Sequence, residues 1–293
     1  MGRIAKTIDE QITLLQNRGM IITDIDKAKE VLLDVGYYRL GFYWFPFEIP
    51  QAFGNERTHI FKPGTKFDDA VKLYYFDYAL RNLLIKYITR IEVNFRTHLV
   101  YYVSNKYPQY PTWFVTPTIV QRSYISSFDT EVYTQKFRRN KVIANHHRIH
   151  INDRYAPAWK TLEFMTLGSN IALYKALLDL DVKKQIAGEF GVNYTGLFEN
   201  YIDVVRCVRN TCAHGGLLYD IDLYPLIRRG PAGLVPGEEH KLSGALKVVK
   251  YLLNKVSENR ANDFKQEFNN LLNKYGATAA LREVLTTICG FGL

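Results

Sequence analysis

The stretch from Thr65 to Tyr107 contains neither proline nor glycine, and it is the longest such stretch in the chain. Apolar residues recur through it at helical spacing, at Leu80, Leu84, Ile88, Ile91, Phe95, Leu99 and Tyr102. This periodicity predicts one very long helix, or two nearly collinear helices. Because an apolar stripe of that length must be covered, other elements have to pack along it.

Helix signals recur along the rest of the chain, without a convincing series of strands, an internal repeat or a low-complexity tract. Thr7 and Glu10 form a capping-box pattern that opens a helix ending at Gly19. We expect the aromatic block 37–47 to pack against the main body, and residues 49–64 to form a loop or small hairpin. Further helices are predicted at 26–35, from Pro157 to 168, at 170–180 and 182–190, and two or three between 241 and 288. The predicted fold class is all-α.

The composition indicates a basic protein with an ordinary core. Lysine and arginine exceed aspartate and glutamate by 38 to 29, which gives a net charge of +9 and a pI near 9.2. This balance favours a polyanionic partner, RNA or DNA before an acidic membrane surface. The 21 tyrosines and 17 phenylalanines suit either base stacking or packing between helices, and packing is the commoner explanation.

The cysteines and the N-terminus favour a reduced, cytoplasmic setting. Cys207, Cys212 and Cys289 supply neither a disulfide framework nor a zinc quartet. We find no apolar signal region at the N-terminus and no run as long as a membrane span. We therefore expect a cytoplasmic protein with no membrane partner.

A second amphipathic run leads from Leu197 into the segment Arg209-Asn210-Thr211-Cys212-Ala213-His214-Gly215-Gly216. Thr195 can cap the start of this helix, and the Gly215-Gly216 pair can end it in a left-handed conformation. The apolar residues with helical spacing are Leu197, Tyr201, Val204, Val205, Val208 and Cys212. The spacing therefore predicts a helix whose last turn carries the polar segment.

The polar residues of this helix end fall on the side opposite the apolar stripe. At about 100° per residue, Asn210 and His214 are one turn apart, and Arg206 lies one turn earlier in the same row. Arg209 lies to the side, where its guanidinium can still reach a phosphate near His214. The alternative is a solvated helix end in which His214 interacts with the terminal carbonyls.

The most basic part of the chain lies between residues 136 and 154. It can bind an RNA backbone, with an affinity dominated by counterion release, or form a solvated segment between helices. Its histidines lack metal-ligand spacing with carboxylates or thiols, so we predict no metal site. Glu92 and Arg96 on the long helix form either a surface ion pair or an approach to the site. The candidate RNA-binding residues are Arg206, Arg96, Lys136, Arg138, Arg139, Lys141 and Arg148.

Several separated blocks resemble one family of bacterial proteins. They include Tyr37-Tyr38-Arg39-Leu40, Phe61 to Phe67, Phe76-Asp77 with Leu80-Arg81, Arg90-Ile91-Glu92 with Arg96, Pro157-Ala158-Trp159 through Gly168, and Val208-Arg209-Asn210 to His214. In this order they resemble the Abi-like abortive-infection proteins, the AbiD and AbiF group. That group is similar to the HEPN superfamily of helical nucleases, which also supplies the cutting sites of type VI CRISPR effectors.

The resemblance implies a HEPN-like helical bundle with additional N- and C-terminal helices. Residues 1–64 would pack on a core of 65–256, and 257–293 would add the C-terminal helices. It also implies Arg209, Asn210 and His214 as catalytic residues, a homodimer that brings two motifs together, and no cofactor. Some relatives are encoded beside a small non-coding RNA, which suggests an RNA antitoxin. Gly215-Gly216 stands where relatives sometimes have a second histidine.

The implied activity is metal-independent cleavage of RNA in phage defence. The 2′-hydroxyl of RNA can attack the adjacent phosphate, so the protein must transfer protons and stabilise the phosphorane. Histidine suits the first task because its side chain titrates near neutral pH, and arginine suits the second because it contacts two phosphate oxygens. Two alternatives stay open. One is a non-cleaving module that binds a small RNA or tRNA, and the other is a scaffold that senses a phage component.

Overall fold

The computed structural model describes residues 4–50, 58–224 and 226–292. These residues form fourteen α-helices and two short 3-10 helices, and their only β pairings are isolated bridges. The predicted all-α class is confirmed. The helices are α1 Ile8–Asn17, α2 Ile25–Asp34, α3 Tyr37–Trp44, α4 Phe67–Lys106, α5 Arg122–Glu131, α6 Gln135–Arg138, α7 Lys141–Ile149, α8 Ala158–Phe164, α9 Leu167–Ala176, α10 Leu180–Glu189, α11 Thr195–Ala213, α12 Leu242–Val256, α13 Glu258–Tyr275 and α14 Ala279–Thr287.

The long stretch is a single helix of 40 residues, α4. Six of the seven stripe residues, from Leu80 to Leu99, are fully buried. The prediction that Tyr102 belongs to this buried stripe is wrong, because Tyr102 is half-exposed whereas Val103 is fully buried. Four residues after Leu99, Val103 continues the same helical row, and the tyrosine lies beside it.

Local capping signals place the first helices. The Thr7 hydroxyl accepts from the amide of Glu10, and the Glu10 carboxylate accepts from the amide of Thr7, which confirms the capping box. The aromatic block forms α3 and a 3-10 turn at Phe45–Phe47. Within it Tyr43 and Trp44 are buried, which confirms that the block packs inward.

The chain divides into two compact units, each built from separate segments. The first unit comprises Met1–Leu83, Thr211–Ile221 and Gln266–Leu293, and the second comprises Leu84–Asn210 and Asp222–Lys265. Helices α4, α11 and α13 contribute residues to both. The division of the chain at residues 64 and 256 remains a prediction.

In the first unit, α1 packs against α2, and backbone bridges join chain segments beside them. Ile21 pairs in parallel with Lys66, and Glu48 pairs antiparallel with Phe61. The second bridge joins the two flanks of the predicted loop or hairpin, whose residues 51–57 lie outside the described part of the chain.

In the second unit, aromatic rings fill the space between helices. Phe95 of α4 packs edge-on to Tyr174 and lies 5.9 Å from the ring of Phe198 on α11. Phe198 in turn stacks on Phe190. The long helix is therefore a packing partner of α11. These tyrosines and phenylalanines serve the core, which is the commoner explanation for a high aromatic content.

In the described ranges, no helix is both long and apolar enough to cross a membrane.

Candidate functional site

Helix α11 carries the polar segment in its last turn, and its apolar face is buried as the spacing predicts. Tyr201, Val205 and Val208 are fully buried. The start of the helix differs from the prediction, because Thr195 is its first residue rather than the cap before it. The Tyr194 carbonyl already accepts from the amide of Phe198, so the helical bonding begins one residue earlier.

The end of α11 is a glycine C-cap, as predicted. The Gly216 amide donates to the Thr211 carbonyl at 2.7 Å, and the Gly215 amide donates to the Cys212 carbonyl at 3.3 Å. Gly215 has a φ of +65°, in the left-handed region. This pair of bonds is the Schellman motif, and it makes His214 the residue at the C-cap. The His214 side chain is exposed and makes no hydrogen bond or ion pair with the residues that the structure describes.

Two arginines of the first unit hold the carbonyls that follow His214. Arg39 on α3 donates to the Gly215 carbonyl at 2.6 Å, and Arg81 on α4 donates to the Gly216 carbonyl at 3.0 Å. Hydrogen bonds from a charged donor are about twice as strong as neutral ones. The backbone on the C-terminal side of His214 is thus fixed from two helices.

Asp77 holds the next part of the same loop. Its Oδ1 accepts from the amides of Leu218 at 3.0 Å and Tyr219 at 2.7 Å. Its Oδ2 accepts from the Tyr43 hydroxyl at 2.9 Å and is ion-paired with Arg81. The carboxylate is fully buried. Burial raises the pKa of Asp77, while the charge of Arg81 and the three neutral donors oppose that shift. Burial also raises the pKa of Tyr43 to about 12, so its hydroxyl remains a donor.

In the second unit, Arg209 lies beside a carboxylate and an amide. Its Nε is 3.5 Å from Glu92 Oε2, and its Nη1 donates to Asn210 Oδ1 at 3.2 Å. Glu92 also contacts Arg96, at 3.4 Å, and Arg96 reaches Glu163 at 2.9 Å. The side chains of Glu92 and Arg96 are only 12% and 11% exposed. Glu92 and Arg96 therefore do not form a surface ion pair. Both side chains are largely buried, and Glu92 also contacts Arg209.

Arg206 is also held by a carboxylate. Its Nε lies 3.4 Å from Asp203 Oδ1, and the ammonium of Lys175 binds the other oxygen of the same carboxylate. Asp203 is buried, whereas Arg206 keeps about a third of its side chain exposed. The charge of Arg206 is therefore partly compensated within the second unit.

The basic segment presents four exposed cations on α6, α7 and the turn between them. Arg138 differs, because its guanidinium lies 4.6 Å from the ring centre of Tyr133 and 3.7 Å from a carboxylate oxygen of Asp129. The exposed cations are Lys136, Arg139, Lys141 and Arg148. A row of this kind suits phosphate contacts, which position a nucleic acid without reading its sequence.

The sequence model of the Abi-like proteins matches residues 30–220, which is more than half of the chain. The match begins within α2 and ends just after the loop that Asp77 holds. The chain belongs to the Abi-like family. Membership of this family indicates a role in abortive infection. The comparison with curated proteins and the comparison with solved structures gave no significant match.

The structure of this Abi-like protein brings together residues that the spacing alone did not connect. Arg39 and Gly215 are 176 positions apart, and Asp77 and Tyr219 are 142 apart. Arg39 and Asp77 lie in blocks that resemble the family, whereas Gly215 and Tyr219 lie in none of them. Arg209 and Asn210 belong to the second unit and contact one another, and His214 belongs to the first.

The described residues of the Abi-like chain include no cluster of three or more histidine, cysteine, aspartate or glutamate side chains that could hold a metal ion. None of the three cysteines forms a disulfide, and burial raises the pKa of Cys212 to about 12.

Proposed function

We propose that the protein is a metal-independent endoribonuclease of HEPN type that acts in abortive infection. Arg209, Asn210 and His214 would be its catalytic residues, and RNA would be its substrate. The observation that carries this proposal is the construction of the C-terminal end of α11. An exposed histidine stands at a Schellman C-cap, and four of the five residues that follow it, 215, 216, 218 and 219, are bonded to buried or half-buried side chains.

The reaction needs only what these residues offer. The 2′-oxygen of a ribose attacks the adjacent phosphorus, and the bond from phosphorus to the 5′-oxygen of the next nucleotide breaks. One proton leaves the 2′-hydroxyl and one reaches the leaving 5′-oxygen, and His214 would carry protons at this step. The products are a 2′,3′-cyclic phosphate and a 5′-hydroxyl. Arg209 would bind the phosphate oxygens as negative charge grows on them.

The contacts around Arg209 and His214 support this assignment because catalysis by charge stabilisation depends on preorganised groups. Glu92 lies against the guanidinium of Arg209 without covering it, since 31% of that side chain is exposed. Asn210 accepts from the same guanidinium. A carboxylate and an amide that restrain Arg209 lower the entropy lost when it meets a phosphate.

The resemblance to HEPN proteins also suggests a composite site. Each chain carries one motif, and a homodimer would bring two of them to one RNA strand. An RNA antitoxin that occupies the same cations would silence such a site. The exposed cations of α6 and α7 would then serve either target RNA or antitoxin, because phosphate contacts carry no sequence information.

The experiment is cleavage of a labelled transfer RNA pool in EDTA by the wild type and by Arg209→Ala and His214→Ala. Removing a catalytic acid–base group, or a donor that stabilises charge in the transition state, lowers the rate by about 100-fold or more, so both variants should be nearly inactive. Arg209→Lys keeps the charge but loses the planar donor fork, and should also be impaired. His240→Ala and Arg260→Ala are matched controls, because both side chains are exposed and lie outside the motif.

Each variant must first melt at the wild-type temperature. Wild-type activity retained by His214→Ala would contradict the proposal. Tight RNA binding by every protein, with no cleavage by any, would replace the nuclease by an RNA-binding module. A lowered melting temperature for His214→Ala alone would indicate that the motif serves the fold.

A further inference from the structure

The second unit contains a cavity whose lining residues do not belong to the motif 209–214. This cavity of about 500 Å³ opens between the end of α7, the loop 152–157 and the start of α8. Its size falls within the range of small-molecule sites, about 300–1,000 Å³. Its wall includes His146, His150, Arg154, Tyr155, Trp159 and Lys160.

Trp159 is the aromatic platform of this cavity. The other faces of α8 are used by the core, since Ala158, Thr161 and Leu162 are fully buried. Trp159 is instead 56% exposed, although the other two tryptophans, Trp44 and Trp113, are at most 2% exposed. An exposed indole in the wall of a cavity is available for stacking against a flat ligand, which suits every nucleobase.

The charges of the wall favour an anionic ligand. Lys160 follows Trp159 directly, and it has no carboxylate within ion-pair distance among the described residues. Arg154 is paired with Asp129 at 2.6 Å, but 72% of its side chain is exposed. The wall also contains one carboxylate, that of Asp153, which contacts His146. Lys160 is therefore the cation of the wall that has no counter-charge among the described residues, and the largely exposed guanidinium of Arg154 lies in the same wall.

His146, another residue of the wall, has a buried ring nitrogen that lacks a hydrogen-bond partner among the described residues. The side chain is 4% exposed, its Nε2 lies 3.1 Å from Asp153 Oδ2, and its Nδ1 has no hydrogen-bond partner among the described residues. Burial lowers the pKa of His146, and the charges of Lys160 and His150 add to that effect. With Nε2 donating to Asp153, a neutral ring leaves Nδ1 as an acceptor.

We infer that this cavity is a binding subsite for one nucleotide of single-stranded RNA, with its base on Trp159 and its phosphate at Lys160 and Arg154. The inference rests on the proposed function in one respect, since it takes RNA to be the substrate class. Stacking on an aromatic side chain combined with cations along the backbone is the arrangement that single-strand binders use. The subsite would hold RNA by shape and charge, away from the bond that is cleaved.

The test uses the fluorescence of Trp159 and an RNA that cannot be cleaved. AMP should quench the emission of the protein, and ribose 5-phosphate should not, because only AMP has a base to stack. Trp159→Ala should lose this response. For a labelled 2′-O-methyl oligoribonucleotide, Trp159→Ala should raise the Kd by about tenfold, within the range measured for one stacked base.

Two variants control the measurement. Trp159→Phe keeps an aromatic face and should bind the oligonucleotide nearly as well as the wild type. Tyr101→Ala removes an aromatic side chain of similar exposure, 60%, that does not line the cavity, and should leave the Kd unchanged. Equal RNA affinity of Trp159→Ala and the wild type would overturn the inference.

The outcomes separate this inference from the proposed function. Metal-independent cleavage by the wild type, with RNA binding that does not depend on Trp159, would overturn the subsite and leave the nuclease. Quenching by AMP that requires Trp159, in a protein that never cleaves RNA, would support the subsite and remove the nuclease.

Discussion

Asp77 is the residue on which the loop after His214 depends most. It is fully buried and receives hydrogen bonds or an ion pair from Tyr43, Arg81 and the amides of Leu218 and Tyr219. Asp77→Ala would leave the buried guanidinium of Arg81 without its counter-charge. Breaking a buried pair in this way costs about 3–5 kcal/mol. We expect a loss of that size in the free energy of unfolding, measured by urea denaturation.

The matched control is Asp68→Ala, which removes an exposed carboxylate from the first turn of the same helix. An acidic side chain there interacts with the helix dipole and contributes about 0.3–1 kcal/mol. Equal losses for the two variants would show that the buried bonds of Asp77 add nothing to stability.

His98 makes stability depend on pH. Burial lowers the pKa of His98, and the nearby Glu189 opposes that shift. The unfolded chain therefore binds a proton on this residue at a higher pH than the folded chain does. Its contribution to stability is complete above about pH 6.5, the ordinary value for histidine, and is lost as the pH falls through the lowered value.

We expect the urea concentration at the midpoint of unfolding to decrease when the pH is lowered from about 7 to about 5. For His98→Gln this decrease should be smaller. Some dependence should remain, because burial also lowers the pKa of His146. His240→Gln, in an exposed loop, controls for the loss of an imidazole as such. An identical pH profile for His98→Gln and the wild type would contradict this account.

Among the elements, α11 owes its C-terminal end to one glycine. Gly215 has a φ of +65°, and a side chain placed there would meet no atom within 4 Å, so the cost of Gly215→Ala is conformational only. An L-residue in the left-handed region costs about 1–2 kcal/mol. Gly215→Ala should lower the free energy of unfolding by about 1 kcal/mol. It should also lose RNA cleavage, because it changes the backbone conformation directly after His214.

Gly188 of α10 is the matched control for this substitution. It lies inside a helix, is exposed, and would also meet no atom within 4 Å. Alanine there removes backbone freedom from the unfolded chain, so Gly188→Ala should stabilise the protein by about 0.5–1 kcal/mol. Two alanine variants that change stability in the same direction would contradict the assignment of Gly215 as the C-cap.

Local patterns predicted many of the helices, although α3, α5, α6 and α7 were not predicted as helices, and these patterns did not identify the contacts between helices. Periodicity located α4, and a glycine pair located the end of α11, because both signals lie within a few turns of the residues they affect. The bonds from Arg39 and Arg81 to glycine carbonyls have no such signal, since any backbone carbonyl can accept. Likewise, the spacing of Glu92 and Arg96 predicts only an ordinary i, i+4 ion pair. The contact between Glu92 and Arg209 arises from tertiary packing, which the spacing does not reveal.

For the whole molecule, the proposed composite site makes activity depend on association. Each chain supplies one Arg209 and one His214, so a dimer would be the active species. We expect specific activity to fall on dilution, over the same concentration range in which sedimentation velocity shows the dimer dissociating. A monomer that retains full specific activity would contradict the composite site without removing the nuclease.

The net charge of +9 fits a polyanionic substrate but does not distinguish RNA from DNA, because phosphates dominate the affinity for both. Only the sugar makes that distinction, since the 2′-hydroxyl is the nucleophile in the proposed reaction. The proposed reaction therefore depends on the sugar of the substrate as much as on the residues of the protein.

The most direct measurement compares an oligoribonucleotide with its 2′-O-methyl counterpart of the same sequence, in EDTA, with analysis of the product ends. We predict that both are bound, and that only the unmodified RNA is cleaved, with 2′,3′-cyclic phosphate and 5′-hydroxyl ends. Cleavage of the 2′-O-methyl strand at a similar rate, or products with 5′-phosphate ends, would contradict attack by the 2′-hydroxyl.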